Sequence, residues 1–191
     1  DLVHTVPHPP SGYIDFARIK HNIPNALLIG PDSESEQWVS QVAKDAGAPF
    51  IIIKKIRLGD AEVKVSIPEV DRYKSHTPVL VDDIVSTAKT MIETVKHLRD
   101  AGMKPPICIG VHAVFAGNAY TELMQAGVES VITCNTIQHS SNQIDISEMI
   151  IFELNAYEDG STYIPFPLTH AATHLDENQP HGHAGHDHHR M

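Results

Sequence analysis

Short, almost wholly apolar runs recur along the middle of the chain: ALLIG from Ala26, FIIIK from Phe50, PVLVD from Pro78, ICIGV from Ile107 and SVITC from Ser130. Runs of this length with no polar alternate predict strands buried on both faces, as in a parallel sheet covered by helices. The segments between them carry a different period. Trp38, Val39, Val42 and Ala46 share one helical face, with Gly47 where a C-terminal cap belongs. Met91, Val95 and Leu98 repeat the arrangement ahead of Ala101 and Gly102. Both segments are expected to be crossover helices. The alternation over residues 26–136 predicts an α/β fold, an open and mostly parallel five-stranded sheet with helices on both faces. Residues 62–67 alternate polar and apolar side chains instead, which fits an antiparallel flap better than a core strand.

Outside this region the pattern weakens, and the chain divides accordingly. Residues 1–25 form a lead-in rich in Pro and His, residues 26–150 the domain, and residues 151–191 a C-terminal extension. The extension ends in a tail carrying seven of the fourteen histidines, expected to be disordered, with only incidental metal affinity. A length of 191 residues suits one domain with appendages. Beginning at Asp1 without a methionine, the chain is expected to be a processed product or a fragment. Its formal charge of −10 argues against nucleic acid as a partner, so any phosphate must be held locally by a loop. With neither a membrane-length apolar run nor a signal-like start, a soluble cytoplasmic protein with no membrane partner is expected. Cys108 and Cys134 sit in apolar runs without metal or redox spacing, and are expected to be buried thiols.

In sheets of this class, ligands bind beyond the carboxyl ends of the strands. Polar groups gather at those ends: Asp32 after the first run, Lys55 and Arg57 after the second, Asp82 and Asp83 after the third, and His112 at the fourth. Residues 82–90 read DDIVSTAKT, two acids followed by small hydroxyl residues that turn into a helix. Free backbone N–H groups at the helix start, with the hydroxyls of Ser86, Thr87 and Thr90, can surround a phosphate dianion. Asp82 and Asp83 would then accept hydrogen bonds from sugar hydroxyls, because acids in direct contact with phosphate would repel it. The plainer reading makes Ser86 an N-cap and the acids a solvated strand end. Strand, acids, hydroxyls and helix in this order favour the phosphate reading. Lys55 and Arg57 have their own plain reading as a solvated basic strand end. His112, inside an apolar strand end, fits a hydrogen-bonded structural role better than ligand contact.

The string VLVDDIVSTAKT closely resembles the phosphoribosyl-diphosphate binding signature of type I phosphoribosyltransferases. Among them it looks most like the carboxyl-terminal half of the ribose-phosphate pyrophosphokinases. IGPDSESEQWV resembles that family's strand and Pro-Asp loop, KKIR its catalytic Lys-x-Arg pair, GVHAVFAG its Thr-His-Ala segment and TCNTI its Thr-Asn-Thr-Ile. The likeness spans residues 26–147. Ser86 stands where the family usually has an acid, Lys89 where it has Gly, and Ser33–Ser35 where it has Gly-rich residues, while Ala88 is acceptable to it.

The resemblance implies transfer of the β,γ-diphosphoryl group of Mg-ATP to the C1 hydroxyl of ribose 5-phosphate, making phosphoribosyl diphosphate. Asp82 and Asp83 would orient the ribose, and Ser86, Thr87, Ala88, Lys89 and Thr90 would hold its phosphate. Lys55 and Arg57 would neutralise the moving diphosphoryl group, and Asp32 would lie on the diphosphate and metal side. Mg2+ is the implied cofactor, ATP the co-substrate, and His4, in a loose match to an Asp-Leu-His segment, the implied metal-linked histidine. Family members have two related halves and complete their sites with neighbouring subunits. A homo-oligomer or a missing amino-terminal half is therefore expected. Two alternatives stay open: a stand-alone phosphoribosyltransferase that attaches a base, and a non-catalytic homologue that only binds ribose phosphates.

Overall fold

Strand β1 (Ala26–Gly30) is buried at every residue because it lies inside the sheet with a parallel neighbour on each side. It belongs to a computed structural model that describes residues 23–57 and 63–158. After β1 a 3-10 turn (Ser33–Ser35) leads into α1 (Glu36–Ala46), and Gly47, at φ +64°, closes that helix with its N–H on the Ala43 and Lys44 carbonyls. Next come β2 (Phe50–Ile52), β3 (Lys54–Arg57), β4 (Val63–Ser66) and a 3-10 turn (Val70–Tyr73). The chain continues through β5 (Thr77–Val85), α2 (Lys89–Asp100), β6 (Ile107–Ala113), α3 (Ala119–Gln125), β7 (Ser130–Cys134), β8 (Asn142–Ile144) and α4 (Ser147–Glu158).

The main sheet has the order β2-β1-β5-β6-β7-β8, with every pairing parallel. That is six strands rather than five. The additional strand, β8, reads only Asn-Gln-Ile and joins β7 across an irregular register at Thr133 and Cys134. Three residues with one apolar side chain leave no run to detect. The FIIIK run is shorter than its composition suggests, since only Phe50–Ile52 pairs in the sheet. From Lys54 the chain forms an antiparallel ribbon with β4, Lys55 opposite Val65 and Arg57 opposite Val63. The alternating flap therefore exists, and Lys55 and Arg57 lie on it rather than at the end of a sheet strand. Helix α4 crosses residue 150, taken above as the end of the domain, and buries Met149 in the core.

Successive strand residues supply opposite faces of the sheet. Leu28, Val79, Val81 and Ile109 meet Val39, Val42 and Ala46 of α1, while Leu27, Ile29, Leu80 and Cys108 meet Met91, Val95 and Leu98 of α2 and Leu123 of α3. Cys134 belongs to the first face, so the two thiols lie on opposite sides of the sheet and neither is in a disulfide. Burial pushes both up to about 12.

Candidate functional site

The carboxyl ends of β1 and β5 are adjacent, which brings the Asp32 turn beside the acid pair. Gly30 makes the tight exit from β1 possible. A Cβ there would lie 2.8 Å from Ile52 Cδ1, 2.9 Å from Ser35 Oγ and 2.9 Å from Val39 Cγ2. Asp32 then acts as the N-cap of the following turn. Its Oδ1 accepts from the Ser35 N–H at 3.1 Å, and the Ser35 hydroxyl donates back to the Asp32 carbonyl at 2.6 Å. The carboxylate is held in place by this reciprocal box.

Asp82 and Asp83 lie near the carboxyl end of β5 with their side chains turned onto their own strand. Asp82 Oδ1 accepts from the Asp83 N–H at 2.9 Å, and Asp83 Oδ1 accepts from the Ile84 N–H at 2.8 Å. Asp82 stands over a crevice lined by Ile29, Pro31, Ile53, Thr90, Met91 and Thr94. Burial, then the hydrogen bond with Asp83 and its charge, and finally the charge of Asp32, push the Asp82 carboxyl up to about 7.

Six residues beyond Asp83, the electrostatics reverse. Helix α2 starts at Lys89 with Ala88 as its cap residue, and no side chain caps it. Its first-turn N–H groups therefore point out of the helix unclaimed by a cap, the arrangement that attracts anions. Ser86 lies two positions ahead of the cap residue, so the plain reading of it as N-cap does not hold. Lys89 is exposed at the first helical position, and Thr94 donates to the Thr90 carbonyl at 2.7 Å, steadying the first turn.

Ala88 adopts φ +55°, a conformation that favours glycine. Its methyl is nonetheless buried. Replacing Ala88 with Gly relieves about 1 kcal/mol of strain and loses about 0.8 kcal/mol of buried methyl. The expected change in melting temperature is accordingly small, within ~2 °C, checked by thermal unfolding.

The neighbouring strand ends brace this loop. Phe115 N–H donates to the Val85 carbonyl at 2.9 Å and Ala116 N–H to the Ser86 carbonyl at 3.1 Å. His112 Nδ1 lies 2.9 Å from Thr136 Oγ1, whose own proton goes to the Val111 carbonyl at 2.9 Å. Nδ1 must therefore be the donor, and His112 is tied to its neighbouring loop, in keeping with a structural histidine.

The fold thus brings together Asp32, Asp82, Asp83, Ser86, Thr87, Ala88, Lys89 and Thr90. The backbone of Lys55 and Arg57 lies on the flap. His4 and the histidine-rich tail lie outside the described residues. Among the described residues no three His, Cys, Asp or Glu side chains are grouped so as to hold a metal ion, and no helix is long and apolar enough to cross a membrane.

An acid pair and an uncapped helix start thus stand near the end of one strand of an open parallel sheet. The chain belongs to the phosphoribosyltransferase family, whose phosphoribosyl transferase domain matches residues 15–148. Within that family its relatives include the ribose-phosphate pyrophosphokinase of Sulfolobus acidocaldarius, 32% identical over 71% of this chain and 48% of the relative. Another is the ribose-phosphate pyrophosphokinase of Methanopyrus kandleri, 31% identical over 63% of this chain and 41% of the relative. The crystal structure of phosphoribosylpyrophosphate synthetase from Mycobacterium smegmatis shares the fold, with a TM-score of 0.62 at 24% identity over 80% of this chain and 50% of that one. The chain spans about half the length of the relatives it matches.

Proposed function

We propose that this chain carries the ribose 5-phosphate side of a ribose-phosphate pyrophosphokinase. The observation that carries the proposal is the sequence of opposite electrostatics along residues 82–90. Crowded acids suit sugar hydroxyls, and an uncapped helix start with hydroxyl residues and Lys89, six positions beyond Asp83, suits the phosphate. Resemblance to half-length segments of named pyrophosphokinases supports this reaction over base transfer.

In the proposed reaction, the C1 hydroxyl oxygen of the sugar forms a bond to the β-phosphorus of ATP. The bond from that phosphorus to the α,β-bridging oxygen breaks, AMP leaves and the hydroxyl proton is lost. Asp82 and Asp83 hold the ribose hydroxyls, and residues 86–90 hold the 5-phosphate. Lys55 and Arg57, carried on the β3–β4 flap, offset charge on the group in transfer. Magnesium, when bound, would supply positive charge that offsets the phosphates. Asp82 and Asp83, adjacent carboxylates near the end of β5, are the described residues that would hold such an ion. A second half, or a second copy of the chain, would supply the remaining ATP contacts.

The test is calorimetric titration with ribose 5-phosphate and then Mg-ATP, followed by an assay for phosphoribosyl diphosphate in the same sample. Binding of both ligands with product formation is expected of a complete site. Sugar binding without product would reduce the proposal to a sugar half-site needing its partner half. Absence of sugar binding would refute it.

A further inference from the structure

The loop between the acid pair and α2 takes its two bracing hydrogen bonds from one segment, and that segment is strained. Phe115, which donates to the Val85 carbonyl, sits at φ +38°. A residue with a Cβ rarely adopts this conformation, and it persists only where surrounding contacts over-determine it. Those contacts are visible. The Phe115 ring meets Tyr120 edge-on at 5.2 Å and lies 4.7 Å from the His139 ring at 37°, while Tyr120 and His139 meet edge-on at 4.8 Å.

His139 is itself locked. Its Nδ1 accepts from the Ser141 N–H at 3.1 Å and lies 2.7 Å from Ser141 Oγ. The remaining bonds fix their directions in turn. Asn142 Nδ2 donates to Thr133 Oγ1 at 2.9 Å, so the Thr133 hydroxyl is free to donate to Ser141 Oγ at 2.8 Å, and the Ser141 hydroxyl to His139 Nδ1. Asn142 Oδ1 receives the His139 N–H at 2.8 Å. Thr133 and Ser141 are buried, which anchors the relay in the core at the end of β7. A continuous path runs from β7 through His139 and Phe115 to the carbonyls of Val85 and Ser86.

We infer that Phe115 and His139 are positioning residues that preset the phosphate loop for its ligand; the inference rests on reading that loop as a ribose 5-phosphate site. Neither residue needs to touch the sugar. Their contribution is to hold residues 85–88 so that the α2 N–H groups converge before the ligand arrives, which lowers the ordering cost of binding. The effect should fall on phosphate itself and not on the ribose hydroxyls.

The test uses the full chain with Phe115→Gly, His139→Asn and Phe115→Tyr. Glycine accepts the positive φ and removes the ring. Asparagine keeps an acceptor where Nδ1 stands and loses the stack, so it carries the test if the Phe115→Gly protein does not fold. Affinities for ribose 5-phosphate and for inorganic phosphate are measured by calorimetry, with thermal unfolding as the check on folding. The expected result is a loss of about tenfold in both affinities, by the same factor, in Phe115→Gly and His139→Asn, with parental affinity in Phe115→Tyr. Parental affinity in a folded Phe115→Gly or His139→Asn protein overturns the inference, as does a loss confined to ribose 5-phosphate. If the parent protein binds neither ligand, it is the reading of the loop that fails, and the inference with it.

Discussion

Asp82→Asn should melt at a higher temperature than the parent protein at pH 8 and bind ribose 5-phosphate far more weakly. The Asp82 carboxyl is raised from 3.8 to about 7 by burial and by the neighbouring acids Asp83 and Asp32. A raised carboxyl means that the folded protein binds the proton more tightly than the unfolded chain does. Below pH 4 both forms are protonated and nothing is lost. As the pH rises from 4 to 7 the unfolded chain ionises while the folded site resists, so stability falls, and above 7 the full penalty remains. Three pH units correspond to about 4 kcal/mol, and partial exposure of the side chain reduces this to on the order of 2 kcal/mol. Asparagine keeps the shape and carries no charge. The melting temperatures of parent and variant should coincide near pH 4 and differ by about 5 °C at pH 8. Unfolding scans across that range measure this; a constant difference at all pH values would contradict the crowded-acid account. Affinity for ribose 5-phosphate should fall on the order of tenfold to a hundredfold, the usual value of hydrogen bonds to a charged group. The site is held at a cost in stability that its ligand can recover.

Gly110→Ala should be a strongly damaging single-methyl change near the site. Gly110 pairs with Asp82 across β5 and β6, and a Cβ there would stand 2.5 Å from Val85 Cγ2. Val85 cannot easily retreat. It is β-branched, it is buried, and its carbonyl is held by Phe115. The expected loss is about 1–3 kcal/mol, or roughly 5 °C in melting temperature, with weaker ribose 5-phosphate binding because Val85 leads directly into the phosphate loop. Adding Val85→Ala should recover most of the stability, since the clash belongs to that one pair. Gly47→Ala gives the contrast. Nothing lies within 4 Å of its Cβ, so only the left-handed backbone costs energy, about 1 kcal/mol. Urea unfolding of the four proteins separates the two mechanisms. Equal losses at Gly110 and Gly47 would argue that backbone conformation, and not Val85, decides both.

Much of this architecture is written in local patterns. Leu27, Leu28 and Ile29 form an unbroken apolar run because neighbours flank β1 on both sides, and the 62–67 alternation is that of a ribbon with two unlike faces. The acids and hydroxyls of residues 82–90 are legible for a similar reason, since the whole loop is contiguous in sequence. What escaped is not local. Strand β8 is defined by pairing with β7, and its composition does not announce it. The helix cap is not legible, because Ser86 is the conventional capping type, whereas the backbone turns at Ala88, whose positive φ no composition rule suggests. The Phe115, Tyr120 and His139 cluster joins three elements, and its His139 to Thr133 relay depends on how the β7–β8 connection folds back. The site's charges could be read from the sequence, and the scaffold that aims them could not.

The placement of the two cysteines makes the protein easy to instrument. Each thiol is sealed on its own side of the sheet and pushed up to about 12, so at pH 8 the reactive thiolate is on the order of one molecule in ten thousand. The sequence holds no other cysteine. A cysteine introduced at Ile84, 52% exposed between the acid pair and the phosphate loop, would be the only thiol open to a maleimide dye. Fluorescence from that position would report ligand arrival in real time, with no need to remove a native residue first.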